Sequence, residues 1–206
     1  MKSENVERFL VEMHKIIFSH LFVLIILFSI WQYNPSVDGI MKNTIFALVT
    51  LEMGFLAYYS KNNLFKVLAL PVWCFFYPST VASLLSVAEV SWGGEAIWTG
   101  AAMRPFMAYL GSLVFTLVAG TLSVHLIMKS FKLNIYVQMV LMPIIALIAT
   151  FILHVGRVTT LSRGDLLASP INFTNELVSS ISLANVPFIF GMTAIQVMLL
   201  LLLGDE

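Results

Sequence analysis

Six apolar stretches, each close to the length that crosses a hydrocarbon core, leave this chain few ways to fold. They run over about residues 16–33, 43–60, 64–88, 105–128, 133–155 and 183–203. A bilayer core is about 30 Å thick and takes roughly 20 apolar residues in a helix to cross. Backbone N–H and C=O groups in hydrocarbon must bond within their own segment, so the runs are helices. A membrane barrel would need strands alternating with period two, whereas these runs are continuous. The sequence therefore predicts an all-α polytopic membrane protein with about six transmembrane helices. Composition agrees, with 59% hydrophobic and 11% charged residues. A soluble domain carries about 25% charged residues, so this chain has too little charge to cover a globular surface.

The same numbers exclude several function classes. Formal net charge is +0 and there is no basic tract, so a nucleic-acid partner is not expected. The lipid bilayer is the expected partner, with another membrane protein as a second. Cys74 is the single cysteine; an intramolecular disulfide is impossible and a structural zinc site would need more ligands. His20 and His125 fall near one membrane face and His154 near the other, so no joint metal site is expected. Motifs for a nucleophile elbow, a phosphate-cradling loop or a zinc helix are missing. No catalytic residue and no cofactor is expected.

Residues 1–15 mix Lys2, Arg8 and Lys15 with Glu4, Glu7 and Glu12 and lack a cleavage site. They read as an amphipathic segment before a retained first helix, rather than as a secretory signal. The whole chain, 1–206, reads as one bundle. Lys2, Arg8, Lys15, Lys61, Lys66, Lys129 and Lys132 fall on one side, against Lys42, Arg104, Arg157 and Arg163 on the other. That bias places both termini in the cytoplasm of a cell-membrane protein. Trp31, Tyr33, Trp92 and Trp98 then lie in the outer aromatic belt. Residues 156–182 form the longest outer connection, and its Leu166, Leu167, Ile171 and Phe173 are too apolar for a free loop. A short interfacial segment is expected there, capped by Asp165 and ended by Pro170.

Two groups of residues are candidates for function. Glu52 lies about nine residues into the second span, near mid-bilayer. An ionised carboxylate at that depth costs at least about 2.5 kcal/mol. It must be protonated, paired or wetted, and Gln196, Thr116 or a backbone carbonyl are its expected partners. Pro71 and Pro78 in the third span free backbone carbonyls and would shape a path beside Trp73 and Tyr77. Glu52, Trp73, Tyr77 and Gln196 are thus the candidate intramembrane polar site. At the outer face His154, Arg157, Arg163 and Asp165 form a second candidate group, an arginine rim suited to anionic headgroups. An ordinary solvated rim of weak ion pairs is the plainer reading of it.

Several of these residues carry a family pattern. Gly156-Arg157 followed by Asp165-Leu166-Leu167 and Pro170 resembles a G-R…D-L-L-x-x-P signature. Phe55-Leu56-Ala57-Tyr58 is similar to an N-x-x-L-A-W segment, and Trp73, Phe75, Phe76 and Pro78 to W-x-x-F-x-P-N. Gly111 and Gly120 fit a glycine-bearing helix. The pattern resembles an uncharacterised bacterial family of multi-pass membrane proteins, domain of unknown function 1361, from about Asn43 to the end of the sixth span. Ser79 replaces an asparagine, Glu52 lies where another is usual, and Ser162-Arg163-Gly164 replaces N-S-W, which marks a divergent member. The resemblance implies about six helices in a bacterial cell membrane and implies no activity.

Three functions fit this reading. The first is a small-solute or lipid transporter, or a membrane subunit of one, with Glu52 and the third helix lining its path. The second is a structural or regulatory partner of another membrane complex. The third is an intramembrane enzyme acting on a lipid-linked substrate through Arg157, Arg163 and Asp165.

Overall fold

The computed structural model describes residues 2–88, 98–158, 168–179 and 184–204. Among these residues the secondary structure is entirely helical. Helix α1 is Lys2–Tyr33, α2 Ile40–Tyr59 and α3 Asn63–Leu85, the last continued by a 3-10 turn, Ser86–Ala88. Then follow α4, Gly100–Ser130, and α5, Ile135–Val158. Helix α6 is Pro170–Ser179 and α7 is Val186–Leu202.

Five of these helices hold segments long and apolar enough to cross a membrane: Met13–Tyr33, Ile40–Tyr59, Asn63–Leu85, Gly100–Ser130 and Ile135–Gly156. The sixth apolar stretch forms the shorter α7, whose 17 residues reach about 25 Å at 1.5 Å per residue. Ten-residue α6 lies between the fifth and sixth apolar helices. Three boundaries differ from the sequence reading. Residues 2–15 are continuous with the first span rather than a separate amphipathic piece. Helices α4 and α5 run to Gly100 and Val158, past their expected ends. Pro170 is the first residue of α6, where its missing N–H is not needed; the turn expected to run from Asp165 to Pro170 lies mostly outside the described residues.

Local chemistry sets the turns. Gly39 precedes α2 with φ 72°, a left-handed conformation that glycine adopts freely. The Asn62 side chain accepts the Leu64 N–H at 2.9 Å and caps α3. Asn134 does the same for Val137 at 2.8 Å at the start of α5. Lys66 Nζ donates to the Ser130 carbonyl at 3.3 Å, tying the start of α3 to the end of α4.

Helix α2 packs along α4 and α3, and α7 packs on α5. The two groups meet where α3 touches α5 and α4 touches α7. In lipid, apolar burial does not drive helices together, so close packing and hydrogen bonds must. The α4 face provides both, with buried Ala108, Ser112, Thr116, Ala119, Gly120 and Ser123. A Cβ on Gly54 of α2 would lie 3.1 Å from Ser123 Cα, so the two backbones nearly touch there. Cross-helix hydroxyl pairs join Thr44 to Ser112 at 2.7 Å and Ser83 to Thr116 at 2.6 Å. Helix α3 runs unbroken through both prolines. Its first half is largely exposed, while Tyr77 to Val81 are buried in succession, so the bundle encloses that turn on every side. Helix α1, by contrast, lies against α4 and α2 with most of its circumference exposed.

Candidate functional site

Glu52 sits on the α1 side of α2. Its Oε1 lies 3.6 Å from His20 Nε2 of α1. The expected partners are engaged elsewhere, Thr116 with Ser83 and Gln196 with Thr150. Both members of the pair reach the bundle surface, His20 with 45% and Glu52 with 34% of its side chain exposed. Glu52 Oε1 itself is buried and has no hydrogen-bond partner among the described residues. His20 Nδ1 lies 2.9 Å from the Ile16 carbonyl, which orients the ring. Because α2 starts at Ile40, Glu52 is about 18 Å from that end and about 10 Å from Tyr59. It is therefore nearer one face than the mid-bilayer position expected of it. The pairing had a legible signal: His20 is seven residues past Met13 and Glu52 seven before Tyr59, so antiparallel helices bring them level.

Trp73, Tyr77 and Gln196 lie apart from Glu52, where the two helix groups meet. Trp73 and Tyr77 stack at 4.9 Å between ring centroids, and Trp73 Nε1 donates to Ser123 Oγ at 3.0 Å. Gln196 is 2% exposed. Its Nε2 donates to Thr150 Oγ1 at 2.6 Å, and Thr193 Oγ1 reaches the same hydroxyl at 3.3 Å. Gln196 Oε1 is buried without a partner among the described residues. Tyr77, Thr80, Gly120, Thr121 and Gln196 line a cavity of about 10 Å³ on this seam; Glu52 does not. Thr121 and Thr150 gave no signal in the sequence, because lone threonines in apolar runs are common and nothing local marks which ones face inward.

At the other candidate site, His154 is 3% exposed in α5, its ring 5.9 Å from Phe188 of α7. It is a packed interior side chain rather than part of an exposed rim. Arg157 lies in the last turn of α5, and its side chain is outside the described residues. Arg163 and Asp165 are outside them entirely. At the α1–α2 turn an open cleft of about 680 Å³ is lined by Trp31, Asn34, Asp38, Lys42 and Phe46. Trp31 is 69% and Trp98 81% exposed, as suits aromatic side chains at a membrane–water boundary. Trp92 is outside the described residues.

Comparison with curated proteins and with solved structures returned no match. Comparison with family models matched the family described as "Protein of unknown function (DUF1361)" over residues 42–199. That span takes in α2 to most of α7 and leaves α1, with His20, outside it. A membrane-spanning helix bundle whose sequence matches over more than three quarters of its length belongs to that family, so this chain is a polytopic membrane protein of the DUF1361 family.

Proposed function

We propose that the protein is a non-enzymatic membrane subunit that pairs its α1–α2 face with a transmembrane helix of another membrane protein. The His20–Glu52 pair carries this reading. An ionisable pair open to hydrocarbon is expensive, and the unpartnered Glu52 oxygen lacks a donor. A partner helix with a hydrogen-bonding side chain at that depth would supply one. Helix α1 also presents a seam for such a helix. Ile17, Leu21, Leu24, Phe28 and Trp31 are all exposed and follow one another at alternating steps of four and three residues. That is the 3.5-residue repeat by which left-handed helix pairs interlock. On this reading both termini face the cytoplasm, the orientation that the Lys/Arg bias favours.

Purification of the tagged chain from native membranes, with cross-linking from Leu24, tests the proposal. A second membrane protein should be recovered. Replacing both His20 and Glu52 by Leu should lower that recovery about tenfold, equivalent to about 1.4 kcal/mol. Recovery as a monomer in native-lipid discs, without any cross-linked species, would end the proposal; a cross-linked second copy would reassign the surface to self-association.

The seam between the helix groups favours a second reading, a small-solute or lipid transporter. There Tyr77 and Gln196 bring polar atoms to a cavity at membrane depth. At about 10 Å³ it admits no solute in this conformation, so transport would require the two groups to part. Uptake into proteoliposomes that is abolished by Gln196→Leu would favour this reading over the first.

A further inference from the structure

The cavity on the seam matches a single small polar occupant in size and chemistry. A volume of about 10 Å³ is near the least that holds one water, and a buried water needs two to four polar partners. Gln196 brings a buried carbonyl oxygen with no partner among the described residues. Tyr77 is buried too, and its hydroxyl makes no hydrogen bond among the described residues; only its backbone carbonyl is engaged, by Thr80. Thr80 Oγ1 donates to that carbonyl at 2.7 Å and Thr121 Oγ1 to the Leu117 carbonyl at 2.9 Å. Each threonine hydroxyl therefore keeps lone pairs to accept with.

We propose that this cavity is the binding site of one ordered water that joins α7 to α3 and α4. The water accepts the Tyr77 hydroxyl proton. It donates one of its own protons to Gln196 Oε1 and the other to a lone pair of Thr80 or Thr121. Exchanging the oxygen and nitrogen of the Gln196 amide leaves a polar atom unpaired at the same end, and the water then accepts from it instead. The site lies between the helix groups, so the bound water is a polar pin across the contact that any relative movement of those groups must break. This inference does not depend on the partner reading above.

The full chain in lipid nanodiscs, labelled with 15N-glutamine, tests it directly, because Gln32, Gln138 and Gln196 are the only glutamines. The side-chain amide protons of Gln196 should show a cross-relaxation peak to water with the sign of a long-lived bound molecule. Tyr77→Phe should abolish the peak by removing a partner. Gly120→Ala should abolish it differently, since the new Cβ would lie 2.5 Å from Thr80 Oγ1 and displace that side chain. Gln138, whose Nε2 donates to the Leu133 carbonyl at 2.7 Å, reports through its unchanged shift that each variant is folded. No such peak at Gln196 in the unsubstituted protein would overturn the proposal. So would a peak that survives in both folded variants. A Gln196 shift that moves when sodium is replaced by choline would also overturn it, by identifying the occupant as a cation.

Discussion

Gly54 and Gly191 both interrupt apolar helices, and nothing in their flanking residues tells them apart. The neighbouring helix does. A Cβ on Gly54 meets the backbone of Ser123, whereas one on Gly191 meets nothing within 4 Å. Gly54→Val should cost about 1–3 kcal/mol, because α4 has to move away. Gly191→Ala should instead gain up to about 1 kcal/mol from helix propensity. Equilibrium unfolding in mixed micelles reads both. The polar residues divide in the same way. Glu52 was visible as an anomaly in the sequence because charge inside an apolar run is rare. Its partner His20 was harder to find, since the pairing depends on how two antiparallel helices align. Thr150 could not be singled out, for its importance comes from Gln196 reaching it across a helix contact.

At the scale of elements, α7 is the helix most dependent on its neighbours. It is the shortest of the apolar helices, and it docks on α5 through the Gln196 and Thr193 contacts to Thr150. Thr150→Val keeps the side-chain shape and removes the hydroxyl, leaving the buried Gln196 amide only its longer bond to the Met192 carbonyl at 3.4 Å. The expected cost is about 1–3 kcal/mol, read as unfolding in mixed micelles at lower denaturant than the unsubstituted chain. The lengths and positions of α2 to α5 were legible to within a few residues, because apolar runs and the turn chemistry of Gly39, Asn62 and Asn134 mark them. The continuity of α1 through its charged first turns was not legible. A mixed-charge segment can continue a helix beyond the membrane or leave it, and composition does not choose between them. Helix α3 shows the same limit. Its prolines were evident, but the burial of its second half follows from how four other helices surround it.

For the whole molecule, orientation is the property most open to test. In a Cys74→Ser background, a cysteine at exposed Asp38 should react with a membrane-impermeant maleimide on intact cells. One at exposed Lys61 should react only after permeabilisation. The reverse pattern would invert the molecule and void the Lys/Arg argument. The sequence by itself determined that this is an all-helical membrane protein. Desolvating an unpaired backbone is so costly in lipid that a run of apolar residues has one available conformation. Its local patterns also pointed to the DUF1361 family, which the match over residues 42–199 bears out. Only the tertiary structure decided which polar side chains meet. It set Glu52 beside His20 at the surface of the bundle, brought Tyr77 and Gln196 to the lining of one cavity, and packed His154 inside against Phe188. The reason is physical. Helix formation in lipid is settled residue by residue, whereas contacts between helices depend on rotation, depth and close approach. Those are fixed by shape complementarity across segments far apart in the chain.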